Sequence, residues 1–98
     1  MTILIEAPFK MTEKQDKAIR DNLSELDKYN QGITQANVYF KEDDGNMQDG
    51  IEAKIQLHIP GPVIFVSDED QDAMVAFKKA FDKVDRQLRK TKDIKQSH

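Results

Sequence analysis

The sequence predicts an α+β fold of order β-α-β-β-β-α, a four-stranded sheet with both helices on one face. Three observations carry this: four short stretches alternate with the period of strands, two longer ones repeat with the period of a helix, and the clearest strand has one apolar and one polar face. Residues 2–7 form the first strand, with Ile3, Ile5 and Ala7 on one side, Leu4 and Glu6 on the other, and Pro8 ending it. Thr12 stands three residues before Gln15, the spacing of a capping box, and opens the first helix. Ile19, Leu23, Leu26 and Asn30 follow its apolar stripe, with Ala18 and Tyr29 at the margins. The helix is expected to stop near Asn30 to Gly32, where Asn and Gly accept left-handed backbone.

Residues 34–41 read as the second strand, with Ala36, Val38 and Phe40 on one face and Asn37, Tyr39 and Lys41 on the other. A polar loop from Glu42 to Gly50 leads to the third strand, where Ile51, Ala53, Ile55, Leu57 and Ile59 oppose Glu52, Lys54, Gln56 and His58. Pro60-Gly61-Pro62 makes a turn into a short fourth strand, Val63 to Ser67. The last helix begins at Asp70 or Asp72, either of which can cap it, and buries Met74, Phe77, Phe81, Val84 and Leu88. A sheet with one polar face is covered on one side only, so both helices share the apolar face. A parallel pairing of the first two strands would require a right-handed crossover through the first helix. The expected core is Ile3, Ile5, Ile19, Leu23, Leu26, Val38, Phe40, Ile55, Leu57, Phe77, Phe81, Val84 and Leu88.

The 98 residues suit one domain, expected over 1–92, with a frayed tail over 93–98. Apolar residues are 38% and charged residues 34%, which implies a small core under a densely charged surface. There is no Cys, which excludes disulfides, thiolate ligands and thiol nucleophiles. The opening Met1–Glu6 has no basic segment and its apolar run breaks at Glu6, so neither a leader peptide nor a membrane span is expected. The default location is the cytoplasm.

Charge is unevenly spread. Residues 1–77 carry seven basic and fifteen acidic side chains, net −8, whereas residues 78–98 carry eight basic and three acidic, net +5. Phosphates meet a patch and not the molecular average, so this distribution points to an anion-binding end. On a helical projection Lys79, Lys83, Arg86 and Lys90 gather opposite the apolar stripe of the last helix, Lys78 and Arg89 flank them, and Lys92 continues beyond. Cations on one rigid element can meet successive phosphates and release counterions. The same pattern also describes a solvated face whose cations complement the helix dipole, and charge alone leaves both readings open. The first helix mixes signs and favours internal pairs such as Asp16 with Arg20.

Other candidates are weaker. Asp43-Asp44-Gly45-Asn46 with Asp49 lacks the ligand spacing of a calcium loop. His58 and His98 have no partner at metal-ligand spacing, so no metal and no cofactor are expected. Tyr39 and Phe65 could stack on bases from the sheet surface, although strand propensity explains them equally. No nucleophile elbow or phosphate-cradling glycine loop is present, and no catalysis or small-molecule substrate is expected.

The run Asp72-Ala73-Met74-Val75-Ala76-Phe77, followed by Asp82-Lys83-Val84-Asp85-Arg86-Gln87-Leu88-Arg89-Lys90-Thr91-Lys92, resembles the last helix of the ribosome hibernation-promoting factors. That family includes the ribosome-associated inhibitors and sigma-54 modulation proteins. Met11-Thr12-Glu13 and Leu26-Asp27-Lys28-Tyr29 are similar to the ends of the family's first helix, and the element order matches over nearly the whole chain. The resemblance implies a fold like a double-stranded-RNA-binding domain and binding to 16S rRNA in the decoding channel of the small ribosomal subunit. It implies phosphate contacts from Lys79, Lys83, Arg86, Arg89, Lys90 and Lys92, a monomeric free state, and the short class of the family. Two features depart from the pattern: Asn22 and Glu25 stand where members usually carry Lys, and Asp68-Glu69-Asp70 is unusually acidic. An RNA-binding translation regulator is therefore the first reading. A divergent protein-interaction module using the acidic side of the first helix is the second, and an enzyme is the third.

Overall fold

A computed structural model of the chain describes residues 1–29, 32–42, 50–61 and 63–96, with 91–96 in backbone only. The elements are β1 (Thr2–Glu6), α1 (Glu13–Ser24) continued by a 3-10 turn (Glu25–Tyr29), β2 (Gln35–Glu42), β3 (Ile51–His58), β4 (Ile64–Asp70) and α2 (Ala73–Gln96). The sheet order is β1-β2-β3-β4, parallel between β1 and β2 and antiparallel elsewhere. The predicted α+β class and element order are those observed.

Alternation along the strands decides which face is covered. Ala36, Val38 and Phe40 of β2 register with Leu57, Ile55 and Ala53 of β3, and all are buried. Ile19 and Leu23 of α1, Leu26 and Tyr29 of the 3-10 turn, and Phe77, Val84 and Leu88 of α2 close over them in one core. The opposite sheet face stays open. Across it Leu4, Asn37, Gln56 and Phe65 align in one row, with Phe65 56% exposed.

Local chemistry sets the helix ends. Thr12 and Gln15 form the predicted capping box, Thr12 Oγ1 accepting from the Gln15 amide at 3.1 Å and Gln15 Oε1 from the Thr12 amide at 3.0 Å. Asp72 caps α2, its carboxylate accepting from the amides of Met74 at 2.8 Å and Val75 at 3.2 Å. Asp70, the other candidate cap, instead accepts from the Asp72 amide at 3.1 Å. Gly32 adopts the expected left-handed backbone, φ +70°, and a Cβ there would approach the Pro60 ring to 3.2 Å.

The structure departs from the expectation in three places. The first α-helix ends at Ser24, whose hydroxyl bonds back to the Arg20 carbonyl at 2.8 Å, and the chain tightens into the 3-10 turn. The i, i+3 spacing of that turn puts Tyr29 in the core alongside Leu26, whereas the expected Asn30 lies outside the described residues. β4 runs to Asp70, three residues beyond the predicted end, through acidic residues that are poor strand formers. Phe81 is only half-buried; Ile3 and Ile5 also pack at the margin of the core, while Ala76 and Ala80 are fully buried. The calcium-like loop lies outside the described residues, as does His98; within the expected frayed tail over 93–98, the helical backbone of α2 continues to Gln96, and 97–98 lie outside the described residues.

Candidate nucleic-acid interface

Burial of Ala76 and Ala80 turns α2 relative to the projection from its large apolar residues. Alanine lets the helix backbone approach β4 closely, so the buried arc widens toward that strand. Lys79 and Lys83 each follow one of these alanines by three positions and share its side of the helix. They are therefore not opposite the core but lean over β4. Lys79 Nζ donates to the Glu69 carbonyl and Lys83 Nζ to the Ser67 carbonyl, each at 2.8 Å. Carbonyls two residues apart face the same side of a strand, and on edge strand β4 these are the ones capped by lysine.

The same lysines meet acid. Lys79 lies 3.5 Å from Asp68 and 3.6 Å from Asp70, and Lys83 lies 3.3 Å from Asp68. Asp68 and Asp70 share the helix-covered face with buried Val66, which aims them at α2. The Glu69 amide, which donates to Asp68 at 2.8 Å, is the main cause holding that carboxyl below its ordinary pKa. Partial burial opposes it, and Lys83 and Lys79 add to the lowering.

The remaining cations of α2 divide into two groups. Arg89 donates to Asp85 at 2.6 Å, and Asp85 also accepts the Tyr29 hydroxyl at 2.6 Å. Tyr29 first and Asp85 second raise the pKa of Arg89. Lys28, a cation that the sign-mixed first helix concealed, sits over the Tyr29 ring, 5.2 Å from its centroid, and its charge acts on Asp85, the partner of Arg89. The signal that could have found it is Tyr29, whose place in the core fixes its neighbour. Lys78, Arg86 and Lys90 are exposed and make no ion pair among the described residues. The Lys92 side chain lies outside those described.

Of the predicted site residues, the structure therefore brings Arg86, Arg89 and Lys90 together on the C-terminal half of α2 and sets Lys79 and Lys83 apart against β4. The first helix neutralises itself as expected: Arg20 reaches Asp16 at 2.6 Å, and Lys17 pairs with Asp21 at 2.8 Å. Tyr39 and Phe65 share the open face of the sheet but are separated by β3 and fall in different rows. His58 is half-buried on that face. Among the described residues no group of His, Asp or Glu converges so as to hold a metal, and no helix is long and apolar enough to cross a membrane.

A helix-on-sheet domain with a cationic helix end is the class that this geometry defines. The family model described as Sigma 54 modulation protein / S30EA ribosomal protein matches residues 7–96, and the chain belongs to that family. A ribosome hibernation promotion factor of Deinococcus radiodurans is 34% identical over 84 residues, covering 85% of this chain and 44% of the relative. The chain thus spans less than half the length of that relative. Among solved structures, the N-terminal domain of Thermus thermophilus Protein Y superposes with a TM-score of 0.76 at 26% identity, covering 93% of this chain and 99% of that one. A ribosomal subunit interface protein from Coxiella burnetii gives a TM-score of 0.80 at 16% identity, covering 95% and 99%, a likeness of fold alone.

Proposed function

We propose that the chain is a ribosome-associated translation inhibitor of the hibernation type, binding 16S rRNA in the decoding channel of the small subunit and acting there by steric exclusion. The observation that carries the reading is family membership across nearly the whole chain. The cationic C-terminal half of α2 supplies the physics: Arg86 and Lys90 project from one rigid helix, with Arg89, partly compensated by Asp85, on the same half. Each phosphate neutralised releases counterions, so affinity falls with salt by about 0.7 to 0.9 log units per log unit of salt for every contact. Nothing in this reading requires bond making, a cofactor or a membrane, and the working location is the cytoplasm with the free protein a monomer.

A second reading, a protein-interaction module, is favoured by one observation. Lys79 and Lys83 are already paired with acid, which removes part of the cationic surface that the family resemblance implies. Co-sedimentation with purified small ribosomal subunits across a salt series separates the two. The RNA reading predicts association at low salt that fades steadily as salt rises. A chain left in the supernatant at low salt puts the protein-interaction reading first.

A further inference from the structure

We infer that Asp68 and Asp70 are specificity-determining residues of the RNA-contacting surface: they hold Lys79 and Lys83 as internal counter-ions and restrict phosphate recognition to the C-terminal half of α2. The inference rests on the RNA-binding reading and refines where the phosphates sit.

Geometry makes the pairing a fixed arrangement. Each ammonium is anchored by a 2.8 Å bond to a β4 carbonyl, so it does not sweep freely around its stem. The carboxylates then lie within 3.3–3.6 Å of the anchored charges, and Asp68 serves both lysines at once. One donor of each ammonium goes to a β4 carbonyl, and carboxylate oxygens lie at ion-pair distance where phosphate oxygens otherwise could. The two lysines and two aspartates sum to zero charge, and Asp72, which caps α2, follows just beyond them in the chain. A phosphate approaching this end of α2 therefore meets lysines already compensated by carboxylates and not a cationic patch.

The pairing contributes little to stability, because the lysine side chains are about half exposed and solvent screens the pairs. Its weight falls on binding instead. Losing the carboxylate charge while keeping the side-chain shape leaves both ammoniums anchored and uncompensated, and so adds two ready phosphate contacts.

Binding to immobilised single-stranded polyuridylate and to purified small ribosomal subunits, each over a salt series, tests this. Asp68→Asn with Asp70→Asn is compared with a control of equal charge change, Glu6→Gln with Glu13→Gln, on β1 at the opposite edge of the sheet and in the first turn of α1. Both pairs are repeated in a Lys79→Gln, Lys83→Gln background. On polyuridylate the masked pair should bind about tenfold tighter near 0.1 M salt, with a salt slope steeper by about 1.4, two contacts at 0.7 each. The control should gain less than threefold without a change of slope. In the glutamine background the Asp changes should have no effect. Asp68→Asn alone, which touches both lysines, should give about half the steepening. Equal gains from control and masked pair, or a gain that persists without the lysines, overturns the inference. If the parent fails to sediment with subunits while the polyuridylate differences hold, the ribosomal reading falls and the masking stands.

Discussion

Asp85 joins the core to the charged surface. Its side chain is 17% exposed and accepts from Tyr29 and Arg89, both at 2.6 Å. Burial works to raise its pKa, but the Tyr29 and Arg89 hydrogen bonds, with the charges of Arg89 and Lys28, outweigh burial and leave the carboxyl below its ordinary value. A carboxyl depressed in the folded state contributes stability that is complete above its unfolded pKa of about 3.9 and is lost as pH falls through the lower folded value. Tyr29→Phe should therefore destabilise the protein by about 1.5–3 kcal/mol at neutral pH, the range for a hydrogen bond to a charged group. The deficit should shrink in strong acid, where Asp85 protonates in parent and variant alike. Urea melts across acidic pH read this directly, and a deficit constant down to the lowest pH would show that Asp85 is not the acceptor that matters. No periodicity reports this bond: Tyr29 and Asp85 are 56 positions apart, and only the fold brings them together.

The pairing of β4 with α2 is where reading the residues met its limit. Large apolar residues at three- and four-residue spacing locate α2 and its inward stripe, because Phe77, Val84 and Leu88 can only be inside. They do not report how closely the helix lies on the sheet, which the fully buried Ala76 and Ala80 decide. Alanine is neutral in a hydrophobic pattern, so the turn of the helix toward β4 was hidden, and with it the place of Lys79 and Lys83. The extension of β4 was hidden for the matching reason: Asp68, Glu69 and Asp70 read as loop, and their register with Ala53, Glu52 and Ile51 is seen only in three dimensions. Strands β2 and β3, by contrast, were legible because one face is buried and a slip of one residue would reverse it. The lysines also cover an edge strand, and edges left uncovered template pairing with other chains. Lys79→Gln with Lys83→Gln should lower the urea midpoint modestly and promote self-association at high concentration, measured by analytical ultracentrifugation. A strictly monomeric double variant would show that the β4 edge is protected by other means.

The chain is a small acidic protein with a basic end, net −3 overall but cationic from residue 78 onward. Long-range attraction to a polyanion depends on how these regions are oriented: α1 and β4 each carry three acidic side chains, whereas the C-terminal half of α2 carries five basic residues against Asp85 and Asp93. The uneven distribution was legible in the order of residues, and it located the candidate surface on α2. Which cations remain free was not legible, because that depends on partners from β4 and from the 3-10 turn. Arg86 and Lys90, exposed and without an ion pair among the described residues, are the pair expected to leave the fold undisturbed when changed, whereas reversing Lys83 would set a carboxylate against Asp68 and test stability as much as binding. Co-sedimentation of Arg86→Glu, Lys90→Glu and of the parent with small ribosomal subunits, over the same salt series, tests the central claim most directly. The account predicts loss of association at every salt with an unchanged melting curve, since at least two phosphate contacts become repulsions. A double variant that sediments with subunits as the parent does would contradict it and leave α2 a solvated face.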